Sequence, residues 1–386
     1  MLEKLSKFPV NWVDGMKINK SHFIAMQENF ADVTRDAIGS HVTPISYGLL
    51  PVQTPLESIK LSLVIDNHKL LRVKVEECHA ITPNGSRIEI SSKDNAIDTQ
   101  MPYPEAVYDI EQGTELVLLA NIVVNPVEQI PFGELDPEEN PPRYPFLHPT
   151  YRLHLELEGQ SSQQAAHKSF QLTVGKILVN RDQTRLQPNY IPPCTMTNSH
   201  KELIDAHTRI DRFMGQLELL AVQIAQKINR KQQTNELAVM VLKLSEIIIT
   251  YLGNEINSLR WMGLYSTPAF MFDKIVRLAR IMKNYVDAKS GAGKEELLNY
   301  LAEWCGLSQG DFEVLFTDLV NVGYNHIQID KTLTQVDKFM QTIEQLFISL
   351  NKLDFIGKRN DTGIFVKERL ENDPIEKNKR SRFFDE

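Results

Sequence analysis

Cysteine is scarce, with three in 386 residues: Cys78, Cys194 and Cys305. They are odd in number, far apart and form no Cys-x-x-Cys pair. That excludes a disulfide framework and fits free thiols in a reducing cytoplasm. Long apolar runs are also missing. The most apolar stretch, Leu237 to Leu252, carries Lys243 and Glu246 and is too short to span a bilayer, so no direct membrane insertion is expected. Met1 to Asp14 contains no apolar core of a secretory signal. Basic residues are in deficit, 42 Lys and Arg against 50 Asp and Glu, for a net charge of -8. A nucleic-acid backbone partner needs clustered positive charge, so no nucleic acid is expected.

Catalytic signatures are absent as well. There is no His-Glu-x-x-His and no Gly-x-Ser-x-Gly. Gly291-Ala292-Gly293-Lys294 lacks the glycine spacing of a phosphate loop, and Glu295 stands where a magnesium-binding hydroxyl belongs. His200 and His207 share a helix, but no Cys or carboxylate completes a zinc site. The sequence therefore reads as a non-enzyme with no metal and no cofactor.

What the chain does have is two heptad seams. Leu203, Ile210, Leu217 and Ile224 recur every seven residues, and Ala206, Phe213 and Leu220 fill the position three residues on. This predicts a long helix from about Asn198 to Asn229. Val336, Ile343 and Leu350, with Phe339, Leu346 and Leu353, repeat the pattern in a last helix from about Asp330 to Phe355. Such seams bury themselves in an intramolecular bundle or wind around other copies, and the pattern alone fits both. Helices are expected between them from Thr234 to Arg260, from a Thr267-Pro268 start to Ala288, up to Cys305, and from a Ser308/Asp311 cap to Val322.

The first half reads as β structure. After a short helix capped by Ser21 and running to Ile38, Leu61, Leu63 and Ile65 alternate with polar residues. Asp66-Asn67-His68 turns, and Leu71, Val73 and Val75 alternate again. Asn84-Gly85 is a tight-turn pair. Further strands are expected near Glu115–Val124, Tyr151–Leu157 and Phe170–Val179, so a β-sandwich or barrel is indicated. Between Asn125 and Pro149 seven prolines and the acidic Glu134, Asp136, Glu138 and Glu139 predict a long loop without pairing, suited to docking. Tyr190-Ile191-Pro192-Pro193 closes this half. The expected division is an α+β chain with a β-sandwich over 1–195, an α-helical part over 196–356, and a tail over 357–386. In that tail Lys379, Arg380, Arg382, Phe383 and Phe384 form either a solvated terminus or a docking peptide.

Several of these elements resemble the TssK-type baseplate subunits of the bacterial type VI secretion system. Trp12, Gly15-Met16 and His22-Phe23 are similar to that family's N-terminal signature, with Lys20-Ser21 where its members carry Pro-Gln. Tyr47-Gly48-Leu49, Pro83-Asn84-Gly85, Arg143-Tyr144, Tyr190-Ile191-Pro192-Pro193 and Tyr324-Asn325-His326 follow in the family's order. The resemblance implies a sandwich shoulder like that of phage receptor-binding proteins, a helical neck and a homotrimer. On that basis Leu203, Ile210, Phe213, Leu217, Leu220 and Ile224 are expected to form the trimer stalk. Trp12, Gly15, Met16, His22 and Phe23 are expected either to bind the wedge proteins TssF and TssG or to seal the base of the sandwich. Family members carry a further head domain, and the roughly thirty residues after the last helix are too few to bury a comparable core. A variant lacking the head is thus expected. It would be a cytoplasmic adaptor docked at the inner-membrane face through a membrane-complex component of unknown identity. An adaptor of a phage or other contractile injection particle is the nearest alternative, and a sugar-binding sandwich on a helical stalk is a more distant one.

Overall fold

The computed structural model describes residues 8–52, 57–91, 103–110, 115–135, 137–159, 169–180 and 183–357. The chain is α+β. Among the described residues, helix α1 (Lys20–Gly39) precedes two antiparallel sheets, and six α-helices follow. The first sheet is built on β3 (Leu70–Ile81), whose length lets it pair with four strands. On one edge lie β1 (Gly48–Leu49) and β2 (Ile59–Ile65), and on the other β4 (Arg87–Ile90) and β5 (Glu105–Asp109). The expected hairpin is present in the register its alternation requires: Leu61 faces Val75, Leu63 faces Val73 and Ile65 faces Leu71. Leu71, Val73 and Val75 are fully buried, because period-two alternation turns them all to one face.

The second sheet has the order β7, β6, β8, β9, made of β6 (Leu116–Phe132), β7 (Phe146–Leu157), β8 (Gln171–Val179) and β9 (Thr184–Leu186). Its apolar face, including Leu118, Ala120, Ile122 and Leu172, joins the same core as the first sheet. Tyr151 on β7 accepts a hydrogen bond from the Glu89 backbone N–H across the two sheets, at 3.1 Å.

One expectation fails in part. The described residues among 133–145 do lie outside the strands, but the flanks of the proline-rich stretch are paired. The β6–β7 ladder slips between Asn125 and Gln129 and then resumes, with Gln129 opposite Pro149, Pro131 opposite Leu147 and Phe132 opposite Phe146. Pairing of β6 with β8 ends at Val123. Beyond that point the hairpin is a two-stranded ribbon, and each strand keeps an unpaired edge that does not need the N–H a proline lacks.

The helical half holds α2 (Lys201–Arg230), α3 (Glu236–Met262), α4 (Pro268–Asp287), α5 (Ala292–Cys305), α6 (Gln309–Val320) and α7 (Ile329–Lys352). The starts at Thr267-Pro268 and Ser308 agree with the sequence, and the Ser308 hydroxyl accepts from the Asp311 N–H at 3.1 Å. Two caps shift by a residue or two. Asn19 rather than Ser21 caps α1, and Asn235 rather than Thr234 caps α3, since an Asn side chain reaches the first-turn N–H groups from those positions. The α2 helix runs antiparallel to α3, tied by Asp211 to Arg260 at 2.7 Å. It runs parallel to α7, tied by Arg209 to Asp337 at 3.0 Å. Lys227 donates to the carbonyls of Asn351 and Leu353, capping the end of α7.

The seams close inside one chain. Leu203, Ile210, Phe213, Leu217, Leu220 and Ile224 are all between 0% and 5% exposed, packed with Val336, Phe339, Ile343, Leu346 and Leu350 of α7 in one core. A trimer stalk needs its seam open to another copy, and this seam is covered already. Of the two readings the heptads allowed, the intramolecular bundle is the one these side chains adopt.

Candidate interaction surface

The N-terminal stretch is bare. Asn19 caps α1 through the Ser21 N–H at 3.0 Å, and the His22 ring nitrogen Nδ1 accepts from the Asn19 N–H at 3.2 Å, closing a capping box. Upstream, the Met16 N–H donates to the Val13 carbonyl at 3.1 Å. Gly15 takes a φ of +79° in this turn, a conformation only glycine adopts without strain. The turn folds Trp12 back onto the start of α1, with its ring 6.0 Å from His22 and 6.4 Å from Phe23. All five residues of the signature are thus brought together. They do not seal the sandwich: Trp12 is 47% and Phe23 53% exposed, and no described residue before Val42 joins the core.

The sequence reading missed the rest of this surface. Phe23, Met26, Phe30 and Val33 recur at three and four residues, an amphipathic stripe. Phe30 and Val33 are more than half exposed, while Asp32, held by Arg35 at 2.8 Å, is the one buried residue of the helix. The helix has its apolar face outward. With Phe8, Val13 and Ile18 also exposed, residues 8–33 bare more large apolar side chains than a monomer ordinarily leaves in water.

A second exposed apolar group lies on the β6–β7 ribbon. Ile130, Leu135, Tyr144, Phe146 and Leu147 are each at least 40% exposed, and Arg143 beside them is held by Glu139 at 2.8 Å. The ribbon is stiffened by a ladder of edge-on rings, Phe132 to His148 at 5.9 Å and His148 to Tyr151 at 5.0 Å.

Three other motifs meet at the joint between sheets and helices. Leu49 donates its N–H to the Pro193 carbonyl at 2.7 Å, and the Thr195 N–H donates to Leu49 at 2.9 Å. His326, 4% exposed, bonds to the Tyr47 carbonyl through Nε2 at 2.8 Å and to the Tyr324 hydroxyl through Nδ1 at 2.8 Å. Residues 47–49, 190–195 and 324–326 therefore fasten the sheets to the start of α7. A cleft of about 780 Å3 opens beside this joint, at the foot of α1, with Val42, Ile45, Asn84 and Ile327 on its walls. Arg35 there is engaged by Asp32, and His326 by its two hydrogen bonds. The cleft offers shape, not a poised acid and base.

Burial lowers the His326 pKa below the ordinary imidazole value, with the hydrogen bond to Tyr47 acting the other way, and burial lowers that of His200 as well. A lowered folded-state value means the unfolded chain takes up protons first as pH falls. The stability from a neutral His326 is whole above the unfolded value and is lost below it. The denaturant midpoint is expected to fall as pH drops from about 7 to about 5. His326→Gln, which can keep both bonds without titrating, is expected to flatten that slope. An unchanged slope would assign it to other groups. Burial also raises the thiol pKa of Cys78 and Cys194, and that of Cys305 to about 12, so none is held as a thiolate.

Among the described residues no His, Cys, Asp and Glu group is placed to share a metal ion, and no helix is long and apolar enough to cross a membrane. Lys379, Arg380, Arg382, Phe383 and Phe384 lie outside the described residues.

These features define a class: a sheet domain with an N-terminal helix whose apolar face is exposed, fastened to a helical bundle. The fold is that of TssK. A crystal structure of TssK aligns with a TM-score of 0.50 at 16% identity, covering 89% of this chain and 72% of that one. A chain of "the baseplate complex from the type VI secretion system" aligns with a TM-score of 0.50 at 13% identity, covering 89% and 99%. A chain of a TssK-TssF-TssG subcomplex aligns at 0.46, with 12% identity and 88% and 99% coverage, and adds nothing to the fold assignment. No family model matches the sequence, and no curated protein does.

Proposed function

We propose that this chain is a structural baseplate subunit of a type VI secretion system, a trimeric adaptor and not an enzyme. Its sheet half (1–195) carries the wedge proteins TssF and TssG, and its helical half (196–356) faces the membrane complex from the cytoplasm. The observation that carries this reading is the outward apolar face of residues 8–33, on a fold shared with TssK over most of the chain. An exposed apolar face of this extent marks a surface that a partner covers. Three copies around one axis would present three such faces, and weak contacts then gain from multivalency.

The test is co-expression with TssF and TssG. Phe23→Asp with Phe30→Asp is expected to end co-purification. Truncating buried aromatic anchors of an interface costs about 2 kcal/mol or more each, roughly thirty-fold in affinity. The melting temperature should hold, because both rings are more than half exposed in the free chain. Undiminished co-purification of the double variant would remove α1 from the wedge contact. Co-purification with virion proteins instead would favour a phage adaptor.

A further inference from the structure

The helix that carries the outward apolar face has little else to hold it. We propose that α1 is ordered by its partner: in the free chain it opens and closes locally, and it becomes a fixed helix when TssF and TssG cover Phe23, Phe30 and Val33. The inference rests on the wedge contact put forward above and adds how that contact is controlled. Among the described residues, no apolar side chain of α1 belongs to the core or packs on it, and Asp32 is the one buried residue of the helix. Near its C-terminal end Ile38 and the Arg35 carbonyl come against the turn at Gly85, where an added Cβ would lie 3.2 Å and 3.8 Å from them. At its other end the Trp12 ring lies over His22 and Phe23, and that ring is itself about half exposed. Helices in proteins take most of their stability from packing an apolar face, and the stripe of α1 faces solvent.

Local forces do not make up for this. Ser, His, Phe, Ile, Asn, Asp, Val and Thr, all from the weaker part of the helix scale, fill more than half of Lys20–Gly39. The end charges oppose the helix dipole. Lys20 stands in the first turn, which holds no acid, and Asp36 in the last, which holds no base. The Asn19–His22 capping box and the Asp32–Arg35 pair set where the helix starts and hold one turn of it. By contrast α2 has Glu202 in its first turn, Lys227 and Arg230 in its last, and a seam at 0–5% exposure. An isolated helix of about 12–15 residues is marginal in water even with good helix formers. The α1 segment has the length and lacks the composition.

A partner that lays an apolar groove over residues 23–33 supplies the missing packing, so that docking and closure of the helix are one step. The ordering cost weakens each single contact and keeps it reversible. Affinity then depends also on α1 residues that touch nothing on the partner, through helix propensity alone.

Amide hydrogen exchange on the full chain, alone and bound to TssF–TssG, tests this. In the free chain the amides of residues 24–34 are expected to exchange within about ten-fold of the rate of an unstructured peptide, and those of α2 roughly a thousand-fold more slowly or beyond. Binding should slow the first set and leave the second as it was. Ala31 is exposed and falls outside the spacing of Phe23, Met26, Phe30 and Val33. Ala31→Gly is expected to weaken binding to TssF–TssG about five-fold, and Ala31→Gln, a good helix former that adds bulk at the same place, to keep it within about two-fold. The melting temperature of the chain should stay in place for both, since α1 adds no apolar side chain to the core. Exchange in residues 24–34 of the free chain as slow as in α2, or full affinity in Ala31→Gly, would overturn ordering by the partner and leave the wedge contact standing. An equal loss in both variants would put Ala31 in the contact itself and overturn the role of propensity. A wild type that captures no TssF–TssG would overturn the wedge reading, and this inference with it.

Discussion

Replacing Leu217 with Asp is expected to abolish folding of the whole chain. Leu217 is 0% exposed in the middle of α2 and shares one core with α3 and α7. Truncating a buried leucine alone costs about 2–5 kcal/mol. A carboxylate in its place has no partner, and an isolated buried charge costs several kcal/mol more or forces its own protonation. A domain has about 5–15 kcal/mol in all, so little or nothing remains. The measurement is far-UV circular dichroism and soluble yield at neutral pH. The outcome separates the two uses of a heptad. If the seam bound other copies, this variant would be a folded monomer; since the seam is internal, the expected product is unfolded.

Gly48→Ala should be nearly as damaging, for a reason of space. A Cβ at Gly48 would lie 2.0 Å from the Pro193 carbonyl oxygen and 2.2 Å from its carbon. Those are backbone atoms, held by the Leu49 to Pro193 bond and the parallel bridge between Leu49 and Cys194. They cannot swing aside as a flexible side chain would. Gly48 also has a φ of +109°, which strains any residue with a Cβ. A loss of about 3–5 kcal/mol is expected, read as a fall in the urea midpoint. The damage should start at the joint, because β1 is the strand that ties the sheets to residues 190–195. A midpoint equal to the wild type would mean that these segments do not approach so closely in solution.

Much of the fold was legible because it is local. The β2–β3 hairpin follows from alternation over five or six residues on each side of Asp66-Asn67-His68, and the starts of α4 and α6 follow from Thr267-Pro268 and from Ser308 with Asp311. The N-terminal signature was legible too: residues 12–23 are close in sequence, and one glycine turn brings Trp12 onto Phe23. The stripe through Phe30 and Val33 was overlooked, although its spacing is as plain as that of α2. An apolar stripe on a helix is ordinarily read as the side facing inward.

The misreadings share one physical cause. Seven prolines between Asn125 and Pro149 exclude a central strand, but they do not exclude a ribbon whose strands each have a free edge. Whether an edge is free depends on where β8 begins, at Gln171 opposite Val123. A heptad specifies that one face of a helix will be covered and says nothing about which helix covers it. The sequence by itself determined the places of the helices, the β2–β3 hairpin, the strands that became the centre of β6, β7 and β8, and the positions of α2 and α7 that leave water. Only the tertiary structure decided that α7 returns parallel to α2 and closes its seam, that Tyr47, Pro193 and His326 meet at one joint, and that α1 keeps its apolar surface in solvent. Local pattern reflects short-range sterics and periodicity, whereas the partner of each face is chosen by contacts more than a hundred residues apart.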